Sequence, residues 1–471
     1  MNFLNRKISI VRLTLIFILI TQLLVILNIK PWKNAEKKNA LINWDVTSYY
    51  SYLPALFIQR DLKFEFLNTS KINYAEKHQF WPETAPNGNK VIKTTMGMSV
   101  LYLPFFILAH SYSVFDPKVD ANGFSYPYEI GLSFSSVFYL FIGLFFLSKV
   151  LNKLFSELKT ALLIIVLFLG SNLFYYSTTE LCMSHAYTFS LASVLMYYTL
   201  EIYHQISWRR SIIIGIILGV LFLVRPTNII WGLIILLYKI EGRGTVKARL
   251  IWIKKNIKYL CSTIIVGLLI CSLQFIYWKW ATGNWIFNSY VGEKFYFTQP
   301  KILEFLFSYR KGWLLYSPIF IISFLGIYNM YKTKNPWFYS TLVILPVTIY
   351  LFSSWWCWWF GGGFGMRPMI DYYPLFIIPI GHFLRVKLLF YKTLLTVLLI
   401  SLTSLNLFQT LQKRKGVIHW DSMSKEAYWA FFFTPKMDTS RDWDLQKKFL
   451  KTPDYDKARK GEKEYNFKIL Q

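Results

Sequence analysis

Asn43-Trp44-Asp45-Val46-Thr47-Ser48-Tyr49-Tyr50 sets one carboxylate among aromatic and hydroxyl side chains, just past the first long apolar run. A carboxylate so placed can take the proton of an incoming hydroxyl, with Tyr49 as a substrate contact beside it. Asp45 would equally suit the start of a helix as a cap. A second stretch, Ser177-Thr178-Thr179-Glu180-Leu181-Cys182-Met183-Ser184-His185, falls between two apolar runs. Glu180 and His185 could face one site as a second acid and a hydrogen-bonding or metal-binding partner. The competing reading is a capped helix start at Thr179 or Ser184.

Three cations stand at similar places. Fixed positive charge beside a departing phosphate favours the transition state over the ground state. Lys93, Arg225 (in Phe222-Leu223-Val224-Arg225-Pro226-Thr227-Asn228) and Arg367 are the candidates. Each could instead be an interfacial cation with its stem along the bilayer. Arg367 follows Trp355-Trp356-Cys357-Trp358-Trp359-Phe360 and a cluster of glycines, and precedes Asp371. Trp356 could present an aromatic face to a sugar, and Asp371 could help bind substrate or pair with Arg367. The polar loop 278–312 adds Glu293 as a further substrate contact.

The elements that must hold these groups follow from composition. The chain has 471 residues, 54% of them hydrophobic and only 16% charged, with a mean hydropathy of +0.35. Soluble domains rarely combine these values, and the apolar residues come in blocks near the ~20 residues that span a bilayer. The net charge of +27 would suggest nucleic acid in a soluble protein. Here the cations sit in short loops between apolar runs, which is the pattern of positive-inside topology, so no nucleic-acid partner is expected. The four cysteines show no metal-ligand or disulfide spacing.

Helices are the economical way to cross a bilayer, because each segment must satisfy its own backbone. The sequence therefore predicts an all-α integral membrane protein. The first span is Ile8–Ile29, uncleaved and with a cytoplasmic N-terminus. A long external loop, 30–127, follows, with an interfacial amphipathic helix over Val46–Ile58. Met98–His110 is short and holds Pro104. If it crossed, every later basic loop would fall outside, so it is read as interfacial or re-entrant. The remaining spans are Ile130–Val150, Ala161–Tyr176, Ala186–Tyr203, Ile212–Val224, Ile229–Tyr238, Tyr259–Tyr277, Trp313–Met330, Trp337–Phe352, Tyr373–Leu384 and Leu394–Leu411. About eleven crossings place residues 1–411 in one transmembrane domain and a short tail, 412–471, outside. Asp45, Lys93, Glu180, His185, Arg225, Glu293, Arg367 and Asp371 then share the external face. His382 is the clearest ionisable group inside a span. A carrier working through midplane ion sites should show more of them.

This layout resembles the GT-C superfamily of polytopic glycosyltransferases, in the branch of protein mannosyltransferases, the lipid A aminoarabinose transferase and RgtA/B/C/D-like enzymes. The likeness rests on one span, a long external loop with an early acid (Asp45), a lysine-led helix (Lys93-Thr94-Thr95-Met96-Gly97 into Leu101-Tyr102-Leu103-Pro104) and a returning span that ends at a second acid (Glu180). It covers roughly residues 8–371. The sequence departs from relatives in lacking an acid after Asp45, in carrying Glu as the second acid and in reading Lys-Thr-Thr for Lys-Pro-Pro. The resemblance implies a polyprenyl-phosphate sugar as donor, and an acceptor hydroxyl on a glycan, lipid or protein. It implies an inverting displacement at the external face of the inner (plasma) membrane, with Asp45 as base and Lys93, Arg225 and Arg367 on the phosphate. It also points to a divalent ion, Mg or Mn, at Asp45, Glu180 and His185. The alternative from another class is a lipid-linked glycan flippase or small-solute transporter that breaks no bond.

Overall fold

The computed structural model describes residues 9–35, 37, 40–69, 73–240, 243–385 and 388–464. The basic Met1–Lys7 segment and the last residues of the tail lie outside that set. Among the described residues the fold is helical, apart from a two-stranded antiparallel pair, Glu83–Thr84 with Lys90–Val91. Five helices are long and apolar enough to cross a membrane: Ile10–Asn34, Gly97–Phe115, Tyr126–Asn152, Ile257–Thr282 and Leu389–Arg414. Their outward faces are apolar. Leu268 and Leu269 are 58% and 62% exposed on one of them, Val397 and Ile400 55% and 61% on another. Apolar surface in such continuous stripes is stable against lipid and not against water. The chain is a mostly helical membrane protein.

Shorter apolar helices, Pro226–Leu237, Ile319–Lys332 and Phe338–Ser353, lie between the long ones. Proline and aromatic side chains interrupt the runs. The expected span over Trp313–Met330 is two helices, Trp313–Tyr316 and Ile319–Lys332, broken at Pro318. The expected span over Ile229–Tyr238 begins as a 3-10 turn, Pro226–Gly232, before the helix Leu233–Leu237. Proline cannot donate to the preceding turn, so it starts helices more readily than it continues them.

Contacts order the ends of the bundle. The Tyr126–Asn152 and Ser184–His204 helices run in the same direction, with Ser135 bonded to Tyr187 near one end and Phe146 against Tyr197 toward the other. Trp208–Val224 runs the opposite way to Ser184–His204 and finishes beside that helix's first turns, where the Arg225 guanidinium meets His185. The Gly97–Phe115 helix is a correction to the expected Met98–His110 segment: it has 19 residues, and its length and composition qualify it as a span. It runs antiparallel to Tyr126–Asn152, where the Tyr139 hydroxyl donates to the Leu101 carbonyl at 3.1 Å. At its start, a Cβ on Gly97 would lie 2.2 Å from the backbone of Leu223 and Val224. At its finish, His110 bonds the Tyr128 hydroxyl in the first turn of Tyr126–Asn152. Only glycine fits at position 97, which brings the two backbones together.

The end where Arg225 meets His185 also carries the long first loop. Residues 45–59 form successive helical turns, Asp45–Tyr50, Tyr52–Pro54 and a π turn at Ala55–Gln59, close to the expected amphipathic segment. They bury Tyr49, Tyr50, Tyr52 and Leu53 against the Gly97–Phe115 helix. The last long helix continues to Arg414, three residues past the expected boundary at 411. The tail then folds back through the helices Lys425–Ala430, Ser440–Phe449 and Tyr455–Arg459. It packs on the aromatic loop 355–365, with Tyr455 between Trp356 and Trp359 and Glu464 accepting from the Trp358 indole.

Candidate functional site

Asp45 opens the first helical turn of the loop rather than capping it. Trp44 occupies the cap position, with φ 51° and ψ −126°, and no side-chain cap bond forms. Backbone of this kind is costly for a residue with a Cβ. It turns the Asp45 carboxylate away from its own helix to meet Arg367 at 2.8 Å. Asp45 is 46% exposed on its side chain and Arg367 15%. A charge pair open on the acid side leaves the carboxylate reachable and oriented.

Arg367 begins the 3-10 turn Arg367–Tyr372, which carries the buried Asp371. Asp371 Oδ1 lies 2.8 Å from His185 Nδ1 in the first turn of Ser184–His204. Arg225, just after Trp208–Val224, closes the group. Its guanidinium lies 3.1 Å from His185 Nε2 and 3.5 Å from Asp371 Oδ2. Burial pushes the Asp371 carboxyl up to about 7, against the pull of Arg225 and Arg367. The Tyr49 hydroxyl sits 3.5 Å from Ser184 Oγ and also reaches Arg225. Helix starts and ends from four distant parts of the sequence thus meet here.

Lys93 precedes the Gly97–Phe115 helix and pairs with Glu293 of the 283–301 loop. Its ammonium also stands 5.1 Å from the ring centre of Tyr290. Ser289 donates to the Lys93 carbonyl, which ties that loop to the lysine's backbone. Tyr290 is within electrostatic reach of Tyr49, Arg225, Asp45 and Glu293, and so stands between the Lys93 and Asp45 groups. Burial raises its phenol, which stays protonated.

Glu180 lies on the other side of Arg367. It shares the field of Arg367 and Lys311 and neighbours the Tyr176 hydroxyl, and Tyr176 in turn accepts from the Phe364 amide. Gly363, at φ +133°, passes so near that an added Cβ would lie 2.3 Å from the Tyr176 hydroxyl. The glycine loop is therefore pressed against the Glu180 segment by backbone, which its glycines permit. Ser184 is the first residue of its helix and makes no cap bond, so the capped-start reading of that segment does not describe it.

Of the residues expected at one site, Asp45, Tyr49, Glu180, His185, Arg225, Arg367 and Asp371 come together, with Lys93 and Glu293 beside them. Trp356 does not join them. It turns to the tail, with Tyr455 and the Arg459 guanidinium against its ring. Asp45, Glu180 and His185 do not form one donor set: Asp45 pairs with Arg367, and both ring nitrogens of His185 are occupied by Asp371 and Arg225. Among the described residues no three His, Cys, Asp or Glu side chains gather to hold a metal ion. Sequence reasoning missed Lys311, which is buried and donates to the carbonyls of Gly363 and Trp420. Burial, with Lys413 nearby, drives its pKa well below the ordinary lysine value. Its place before the apolar run at Trp313 disguises it as an interfacial cation. No family model, curated protein or solved structure matches the chain.

Proposed function

We propose that the chain is a membrane glycosyltransferase that moves a sugar from a polyprenyl-phosphate donor to an acceptor hydroxyl. In this reading the acceptor oxygen attacks the anomeric carbon, and the bond from that carbon to the phosphate oxygen breaks with its electron pair leaving on phosphate. The acceptor proton passes to Asp45, and the configuration inverts. Arg367 orients Asp45, while Arg225, Lys93 and Arg367 hold the phosphate. Tyr49, His185, Glu293 and Asp371 shape the surrounding pocket wall. No step is assigned to a metal.

The observation that carries the reading is the Asp45–Arg367 pair. It is a reachable carboxylate held by a cation that belongs to the same polar cluster as Arg225 and Asp371. The clustering of these groups at one end of the bundle favours bond chemistry at a surface over carriage through the midplane. With eleven crossings and a cytoplasmic N-terminus, this cluster would lie on the external face of the plasma membrane, and the tail with it. The placement suits an enzyme of cell-envelope glycan synthesis.

The test uses purified full-length protein in liposomes, given radiolabelled polyprenyl-phosphate sugars and candidate acceptors, with Asp45→Asn beside wild type. The proposal expects transfer by wild type and its loss in the variant. Movement of label across the bilayer without a new glycosidic bond would establish the flippase alternative instead.

A further inference from the structure

The tail has a second surface, facing away from the aromatic loop. Gln412, at the end of the apolar helix Leu389–Arg414, donates to the carbonyls of Phe431, Phe432 and Thr434 at 3.0, 2.9 and 3.0 Å. One turn earlier, Gln409 donates to the Tyr428 hydroxyl at 2.8 Å. These bonds fold residues 428–434 back alongside the last turns of a helix whose outer face is apolar. The segment is thereby fixed at the depth where that helix leaves its apolar surroundings. There it presents Trp429, 55% exposed, and Phe433, 85% exposed. Trp429 also donates to Tyr309, just after the short helix Ile302–Phe307, whose Leu303 and Phe307 are exposed as well. Lys425 and Lys436 bracket the aromatic stretch.

We infer that residues 428–434 are seated in the lipid interface, so that the tail is a membrane-anchored brace and not a free extension. Three things favour lipid over water or a protein partner. Backbone carbonyls clamp the segment to the end of a lipid-facing helix. Trp with flanking Lys is the composition of the bilayer boundary. Leu411, beside Gln412, is itself 39% exposed, so apolar surface on the helix reaches the level of the clamped segment. The other face of the same tail holds the glycine loop through Trp420, whose ring lies against Gly362 and whose carbonyl takes Lys311. A lipid contact and the Glu180 side of the site therefore share one small folded unit. This inference needs only the membrane fold and stands whether or not sugar transfer does.

Spin labelling of the full-length protein in nanodiscs of phosphatidylcholine and phosphatidylglycerol tests it. The exposed Cys261 is first replaced by serine, and a label is placed at Phe433→Cys or, in a second variant, at the exposed Ala430→Cys. A third label at Asp456→Cys, where the side chain is 87% exposed, reports the aqueous surface. The expected result is collision with oxygen severalfold above that with an aqueous nickel complex at 433 and 430, and the reverse at 456. Nickel access at 433 and 430 equal to that at 456 would overturn the anchor. So would low access to both reagents, which would place another protein surface over the rings.

Discussion

The two ends of the bundle treat buried polar groups differently. At the end opposite the site, His382 is buried between the neutral partners Thr333 and Asn335. The cations nearby serve backbone: Lys159 donates to the Leu384 carbonyl and Arg385 to the Leu154 carbonyl. At the site end, His185 is buried between a carboxylate and a guanidinium, and a second carboxylate meets a second guanidinium. Neutral partners satisfy a histidine at little electrostatic cost. Opposed charges under low dielectric are expensive to assemble and are worth keeping where a reaction moves charge.

The largest effect should come from Asp45→Asn, which keeps shape and removes the base. Transfer should fall by about 10²–10⁴-fold, the usual reach of such a group. Unfolding in detergent should shift by no more than about 1 kcal/mol, because the ion pair is open to solvent. A stability loss as large as the activity loss would recast Asp45 as a structural residue.

Next is Asp371→Ala, which strands Arg225 beside His185. Removing one partner of a buried pair costs about 3–5 kcal/mol, and chemical denaturation should register it. His382→Asn at the far end has neutral partners and should cost clearly less. Equal losses at the two histidine sites would erase the contrast between the ends.

The pH dependence has a definite sign. The folded Asp371 carboxyl sits at about 7 because burial raises it above its ordinary value. A carboxyl raised on folding contributes stability that is complete below its unfolded pKa, near 4, and is lost as pH rises through about 7. Wild type should therefore lose stability over that window, and Asp371→Asn, which cannot ionise, should show a flatter profile. A variant as steep as wild type would assign the titration elsewhere.

Gly363→Ala should cost about 1–3 kcal/mol, since the methyl group meets the Tyr176 hydroxyl and the φ of +133° suits glycine alone. Smallest of all, Lys159→Gln at the far end should stay within about 0.5 kcal/mol and leave transfer intact. Strong loss of activity from Lys159→Gln would show that the far end takes part in the chemistry.

The helical membrane class and most helix positions were legible in the sequence, because length and hydropathy alone set them. The cluster was legible only as a list of residues on one face. The pairing of Asp45 with Arg367 was not, since it joins residues more than three hundred positions apart and depends on the unusual turn at Trp44. Trp356 looked like a sugar platform because composition cannot tell which side of a loop a ring takes. The Gly97–Phe115 helix was read too short because polar side chains such as His110 and Ser113 interrupt its hydropathy. Both bond to partners within the protein, His110 to the Tyr128 hydroxyl and Ser113 to the Ala109 carbonyl.

Gly97 has one more consequence. With no side chain between the start of its helix and the Leu223–Val224 backbone, the chain segments bearing Lys93 and Arg225 share a rigid anchor point. The main-chain spacing of the two segments is thereby fixed at this contact. In the proposed reaction, a donor phosphate held between these two segments would meet a fixed backbone spacing, and only the side-chain stems would adapt to it.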